Sequence, residues 1–152
     1  MTRLWADKLR GLQENLAELI RAERTAQSAQ LPAGLQGAQF MVSVSGSPDR
    51  SPLKAFTIQV MPAANSQTKP EVTDKLTGFI SIPCRIRIKT EDEKDALTIL
   101  NEMQGLIVDG SREDSSLDGV TGGFDDPAHE IGPIEVGVGE MFQEVVVRYQ
   151  VR

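Results

Sequence analysis

The strongest constraint on the fold is a run of alternating residues between positions 78 and 90. Five apolar side chains occupy every second position, and polar or basic residues fill most of the positions between them. The apolar set is Ile80, Ile82, Cys84, Ile86 and Ile88. Because successive side chains of a strand point to opposite faces, the run predicts a long β-strand with one face in the core. Pro83 lacks the N–H that a ladder needs, which predicts that this strand lies at a sheet edge or is bulged there.

The residues after this strand carry the signature of a helix start. Thr90 and Glu93 form a T-x-x-E capping box, in which two side chains satisfy free N–H groups of the first turn. Gly110 stands where a C-cap glycine would end the helix. Apolar residues at helical spacing predict its buried side, namely Ala96, Ile99, Leu100, Met103, Leu106 and Ile107.

The two ends of the chain also have clear periodicity. Residues 3–26 read as an amphipathic helix, too short for a convincing coiled coil and therefore predicted to cover a sheet. Its apolar stripe is Trp5, Leu9, Leu12, Leu16 and Leu19, and its opposite face carries Arg10, Glu14, Glu18 and Arg21. The chain closes with a predicted strand whose apolar face holds Met141, Val145, Val147, Tyr149 and Val151.

Two shorter alternating runs, near residues 40–44 and 56–60, predict further strands, and residues 27–38, 62–75 and 110–137 are predicted loops. The order of elements predicts an α+β fold, with a mostly antiparallel sheet and two helices packed on one face, as a single domain over residues 1–152. The predicted shared core is Leu9, Leu12, Leu16, Ile80, Ile82, Ile86, Ile99, Leu100, Val145, Val147 and Tyr149.

Composition restricts the class of protein. With 39% hydrophobic and 25% charged residues, the 152-residue chain has a globular composition. No apolar run approaches the roughly 18 residues of a membrane span, and the charged N-terminus argues against a signal peptide. The single cysteine, Cys84, allows no internal disulfide or cysteine-built zinc site, and its apolar setting predicts a buried hydrophobe rather than a nucleophile. A net charge of −6 argues against a broad nucleic-acid-binding surface.

Charge is unevenly spread along the chain. Residues 91–144 hold fifteen of the 22 acidic residues but only two of the 16 basic ones, Lys94 and Arg112. Such asymmetry is typical of a solvated acidic face, and it also suits head-to-tail association between copies.

The sequence predicts no catalytic, cofactor-binding or metal-binding residue. His129 in DDPAHE lacks partners at a fixed spacing, so a small enzyme that uses it with nearby carboxylates is only an alternative. Residues 114–125 resemble the ligand spacing of an EF-hand calcium loop. However, Thr121 replaces the usual apolar residue, and Asp125 replaces the chelating glutamate. A small ligand- or calcium-binding module with this loop as its site is the other alternative.

Three segments together resemble the tail terminator proteins of long-tailed bacteriophages, also called tail-completion or head-to-tail joining proteins. They are the N-terminal helix RLWADKLRGLQENLAELI, the strand and capped helix FISIPCRIRIKTEDEKDALTILNEMQGLI, and the last strand FQEVVVRYQVR. The resemblance lies in element order and size. The stretch GSPDRSPLKAFTIQVMPAANSQTKPE is longer than a compact version of the pattern would have.

The resemblance implies a structural virion protein without enzymatic activity or cofactor. Such subunits form a homo-oligomeric ring, expected to be a hexamer, that caps the tail tube and ends its polymerisation. The ring then joins the tail to the head connector, or neck, and DNA passes through the lumen without specific binding. The implied location is the tail or neck of the virion, assembled in the host cytoplasm without a membrane. Another head–tail or baseplate subunit is the alternative within this class.

The charge pattern predicts how copies would meet. Arg85, Arg87 and Lys89 share the non-core face of the long strand, and Arg148 and Arg152 are placed on the matching face of the last strand. A neighbouring copy's acidic segment is expected to approach this basic face, with the 110–137 loop ordering on assembly. The predicted interface residues are Arg85, Arg87, Lys89, Arg148, Asp114, Asp118, Asp125 and Asp126.

Overall fold

A computed structural model describes residues 5–45, 54–65, 79–89, 93–113 and 127–150. Two long helices and one short helix accompany seven strands, as the α+β prediction requires. The helices are α1 (Trp5–Ala26), α2 (Ala33–Gln36) and α3 (Glu93–Ser111). The strands are β1 (Phe40–Val44), β2 (Phe56–Val60), β3 (Ala64–Asn65), β4 (Phe79–Lys89), β5 (Ala128–Ile131), β6 (Glu135–Gly137) and β7 (Glu140–Gln150).

The sheet has the order β1-β2-β4-β7-β5, with β3 added beside β4 and β6 beside β7. Only the β1–β2 pair is parallel, and every other described pair is antiparallel. The mostly antiparallel prediction is therefore confirmed. The two edges of the sheet are β1 on one side and the β5–β6 segment on the other.

Strand β4 lies at the centre of this sheet, and all five of its alternating apolar side chains are buried. It is not an edge strand, and its pairing with β7 runs unbroken through Pro83, so the irregularity lies in the facing segment rather than in β4 itself. Met61 N donates to Pro83 O at 2.8 Å, and proline has no N–H to return the bond. Between the β2 and β3 pairings, residues 61–63 face only residues 82–83, which is a one-residue bulge.

Helices α1 and α3 pack side by side on one face of the sheet, and their apolar stripes form one core with it. Every predicted core residue is buried except Leu9, which is partly buried against the others. Val151 lies outside the described residues.

Gln13 is a buried polar residue that periodicity did not predict. Its amide donates to Ser45 O and Val60 O at 2.8 and 2.7 Å, at the ends of β1 and β2.

Gly110 does not end α3 as a C-cap, because the helix runs on to Ser111 and Gly110 is buried within it. Among the described glycines only Gly139, in the β6–β7 turn, has a positive φ. A Cβ added at Gly110 would lie 3.1 Å from Ile20 Cα in α1. Gly110 therefore allows α1 and α3 to approach closely. The spacing of residues along α3 alone cannot reveal such a contact between two helices. Thr90 of the predicted capping box lies outside the described residues.

The loop predicted over residues 110–137 is wrong in part. Its first residues complete α3, and β5 and β6 pair with β7. Strand β5 was missed because its pairing partner is 14 to 20 residues away in sequence, and β6 because it has only three residues and ends in a glycine. The other predicted loops also contain short elements, namely a 3₁₀ turn at Ser28–Gln30 with α2, and β3.

Across the described chain, no helix has the length and apolar composition of a membrane span.

Candidate subunit interface

The face of the sheet opposite α1 and α3 carries the predicted basic residues. Arg85, Lys89 and Arg148 are exposed there and Arg87 is half-buried. The register places Arg85 opposite Glu144 and Lys89 opposite Glu140 across β4 and β7. The predicted side-chain direction is therefore confirmed for all four, whereas Arg152 lies beyond the described residues.

Carboxylates of the same chain balance these cations. Arg87 Nη2 donates to Glu140 Oε1 at 2.7 Å, and Lys89 Nζ lies 3.6 Å from the same oxygen. The hydrogen bond from Arg87 holds the pKa of Glu140 below its usual value against the opposing effect of burial, and the charges of Arg87 and Lys89 lower this pKa further. Arg148 Nη2 lies 3.5 Å from Glu130 Oε2.

For Arg87, Lys89 and Arg148, the counter-charge expected from a neighbouring copy is thus supplied from within the chain. The sequence analysis did not predict these intrachain pairs. It assigned the strand that holds Glu130 to a loop, and the pairing of β4 with β7 is a long-range contact that periodicity does not reveal. The role of the four cations in an interface stays a prediction. Asp114, Asp118, Asp125 and Asp126, and with them the calcium-like loop 114–125, lie outside the described residues.

Two open hollows indent this face on either side of Phe142. The larger, about 640 Å³, is lined by Pro133, Phe142 and Val146 with three glutamates and Arg85. The smaller, about 220 Å³, lies between β2 and Phe142, whose ring centroid is 5.9 Å from the Arg87 guanidinium carbon. Within the described parts of the chain, no three side chains of the metal-binding types come together.

His129 lies on the other side of the sheet, away from both hollows, because it pairs with the core-facing Val147. Its Nε2 is 2.7 Å from Ser111 Oγ, which itself donates to Val108 O. This hydrogen bond between the two side chains fastens β5 to the end of α3. Burial, and then the charge of Arg112, lower the pKa of His129. Ser111 is fully buried, so its hydroxyl offers a substrate no access.

The β5–β6 edge carries a surface that the sequence prediction missed. Four apolar side chains there are exposed, and we call them the edge patch: Ile131, Ile134, Val136 and Val138. Val136 is 65% exposed and Val138 fully so. The signal was present in the sequence, since residues 134, 136 and 138 alternate like a strand, but glycines at 137 and 139 suggested a loop.

The edge patch is held in place by a chain of amides. Gln143 on β7 donates to Gly132 O at 2.8 Å, and its own Oε1 accepts a hydrogen bond from Gln104 of α3. Gly132 N donates in turn to Glu144 O at 2.8 Å. Between the β5 and β6 pairings, residues 132–134 face only residues 143–144, which is a one-residue bulge. These hydrogen bonds fix the bulge to both the sheet and a helix, which presents the patch on a rigid support.

No protein-family model matches this sequence, and no curated protein is significantly similar to it.

Proposed function

We propose that this protein is a structural subunit of the tail-terminator kind, which assembles into a closed ring of identical copies. Six copies are the expected number. The ring would cap the phage tail tube, end its polymerisation and join it to the head connector. The virion tail or neck is its place of action, after assembly in the host cytoplasm.

The observation that carries the proposal is the edge patch. Soluble monomers generally protect the edges of their sheets with charge or a covering element, because an open edge can pair with another chain. Here four exposed apolar side chains fall within eight residues of the edge segment. An exposed apolar cluster on a rigid strand pair is typical of a surface that is buried in an assembly.

The charge balance of the uncovered sheet face supports the passage of DNA. Its described charged side chains are Arg85, Arg87, Lys89 and Arg148 with Glu130, Glu135, Glu140 and Glu144. Four cations against four anions give no net attraction for a phosphate backbone, since affinity for DNA comes largely from excess cationic charge. A lumen lined by such a face would let DNA slide.

The mass of the protein in solution tests the proposal. Light scattering and native mass spectrometry from 1 to 200 µM should show a species of several times the 16.6 kDa chain mass, with six copies expected. Negative-stain images of that species should show rings with a central hole. A chain that stays monomeric at 200 µM, in both low and physiological salt, would contradict the proposal.

A further inference from the structure

We infer that the β5–β6 edge of one copy docks against the β1 edge of the next, so that the contact joins opposite edges of the sheet head to tail. This inference rests on the proposed function and names the two surfaces that would build the ring. A contact between different patches of identical chains closes into a ring when the rotation between copies allows it.

Backbone direction makes β5 available for such a contact. The hydrogen bond from Gly132 N to Glu144 O and the antiparallel register direct the backbone N–H and C=O of Ala128, Glu130 and Gly132 toward β7. The backbone N–H and C=O of His129 and Ile131 therefore point outward from the edge of the sheet. Pro133 and the bulge limit continuous pairing along this edge, so apolar side chains must supply much of the affinity.

At the opposite edge, β1 presents a matching strand. Phe56 N donates to Gln39 O, and Ser45 N donates to Val60 O. In this parallel pair the backbone N–H and C=O of Phe40, Val42 and Val44 therefore point away from β2. Arg21 of α1 donates to Val42 O at 2.7 Å and so occupies the middle of this edge. Phe40 N donates to Gly37 O at 3.4 Å, which leaves the C-terminal end of β1, at Val44, as the segment for a neighbouring strand.

The apolar side chains of the two edges lie on the same side of the sheet. Ile131 and Val136 pair with the buried Val145 and Met141, so they face the helix side. On β1, the partly buried Phe40 and Val44 also face that side and pack against the core. A sheet continued from one copy into the next would therefore bring both apolar sets together.

Charge favours unlike edges over like ones. Arg21 and Arg24 flank the β1 edge, where Arg24 donates to Leu35 O at 3.0 Å and lies over the Phe40 ring. The β5–β6 edge carries the exposed Glu130 and Glu135. Two copies meeting through this acidic edge would place like charges together. The arginines beside β1 come from the helix side and Arg21 is itself paired with Glu18, so charge acts against contact between like edges rather than through a direct ion pair between unlike ones.

Two double variants test the two edges of the sheet independently. Ile134→Glu with Val136→Glu puts charge into the edge patch, and Ala38→Glu with Gln39→Glu adds it at exposed positions beside β1. Each is expected to weaken assembly about 100-fold, as hot-spot loss does, while its circular dichroism spectrum stays that of the folded chain because the sites are exposed. Gln150→Glu, on the uncovered face of β7, is the control for added charge and should assemble like the wild type.

Mixing the two double variants is the decisive step. Each keeps one intact edge, so a 1:1 mixture at 200 µM should give a dimer of twice the 16.6 kDa chain mass, while each alone stays monomeric. If the Ala38/Gln39 variant assembles normally by itself, the β1 edge is not involved and the inference fails. A wild-type ring that neither variant disturbs overturns the edge contact and leaves the ring proposal standing, whereas a monomeric wild type overturns the ring proposal itself.

Discussion

Replacing Gly110 with alanine is expected to destabilise the protein by about 1–3 kcal/mol, the usual cost of overpacking a close contact. The added Cβ would lie 3.1 Å from Ile20 Cα and 3.2 Å from Leu19 O. Both are backbone atoms of α1, so no flexible side chain can move aside. The two helices would have to separate, which loosens the core they share with the sheet.

Gly105 provides a matched control in the same helix. A Cβ there meets nothing within 4 Å, so Gly105→Ala should stabilise the protein by about 0.5–1 kcal/mol through helix propensity alone. Urea unfolding followed by circular dichroism measures both changes. Equal effects of the two substitutions would show that α1 and α3 do not meet closely at Gly110.

Periodicity was sufficient for the elements that face the core. The alternation through β4 and β7, and the helical spacing in α1 and α3, select buried residues directly because each pattern follows from backbone geometry. The same reasoning could not find β5 and β6, which are short and depend on β7 for pairing. It also misread Gly110, since a glycine that ends a helix and one that permits a helix crossing look alike in sequence.

The candidate interface, too, could be predicted only in part from the sequence. The direction of Arg85, Arg87 and Lys89 followed from the strand period, and the structure confirms it. The pairing of Arg87 and Lys89 with Glu140 could not be predicted, because it requires the register between two strands that are separated by a helix. The edge patch was missed because exposure of an apolar residue is visible only once the covering elements are known.

Cys84 provides the second test of the fold, and a large effect is expected. Burial, together with the negative charge of Glu144, raises the pKa of its thiol from 9.0 to about 12. Since the thiolate is the reactive form, alkylation by iodoacetamide at pH 8 should be about 1000-fold slower than for an exposed thiol. Ala38→Cys in a Cys84→Ala background supplies the exposed comparison. Similar labelling rates for the two thiols would mean that Cys84 is not on the core face of β4.

The raised pKa also predicts how stability depends on pH. Below pH 9 the thiol is protonated in both states and contributes no pH dependence. Between pH 9 and about 12 only the unfolded chain ionises, so the free energy of unfolding should fall by about 1.4 kcal/mol per pH unit. Denaturation of the wild type and of Cys84→Ala at pH 8, 9, 10 and 10.5 isolates this effect, because other alkaline groups titrate in both. The difference between them should stay constant up to pH 9 and shrink above it. A constant difference up to pH 10.5 would contradict burial of a protonated thiol at this position.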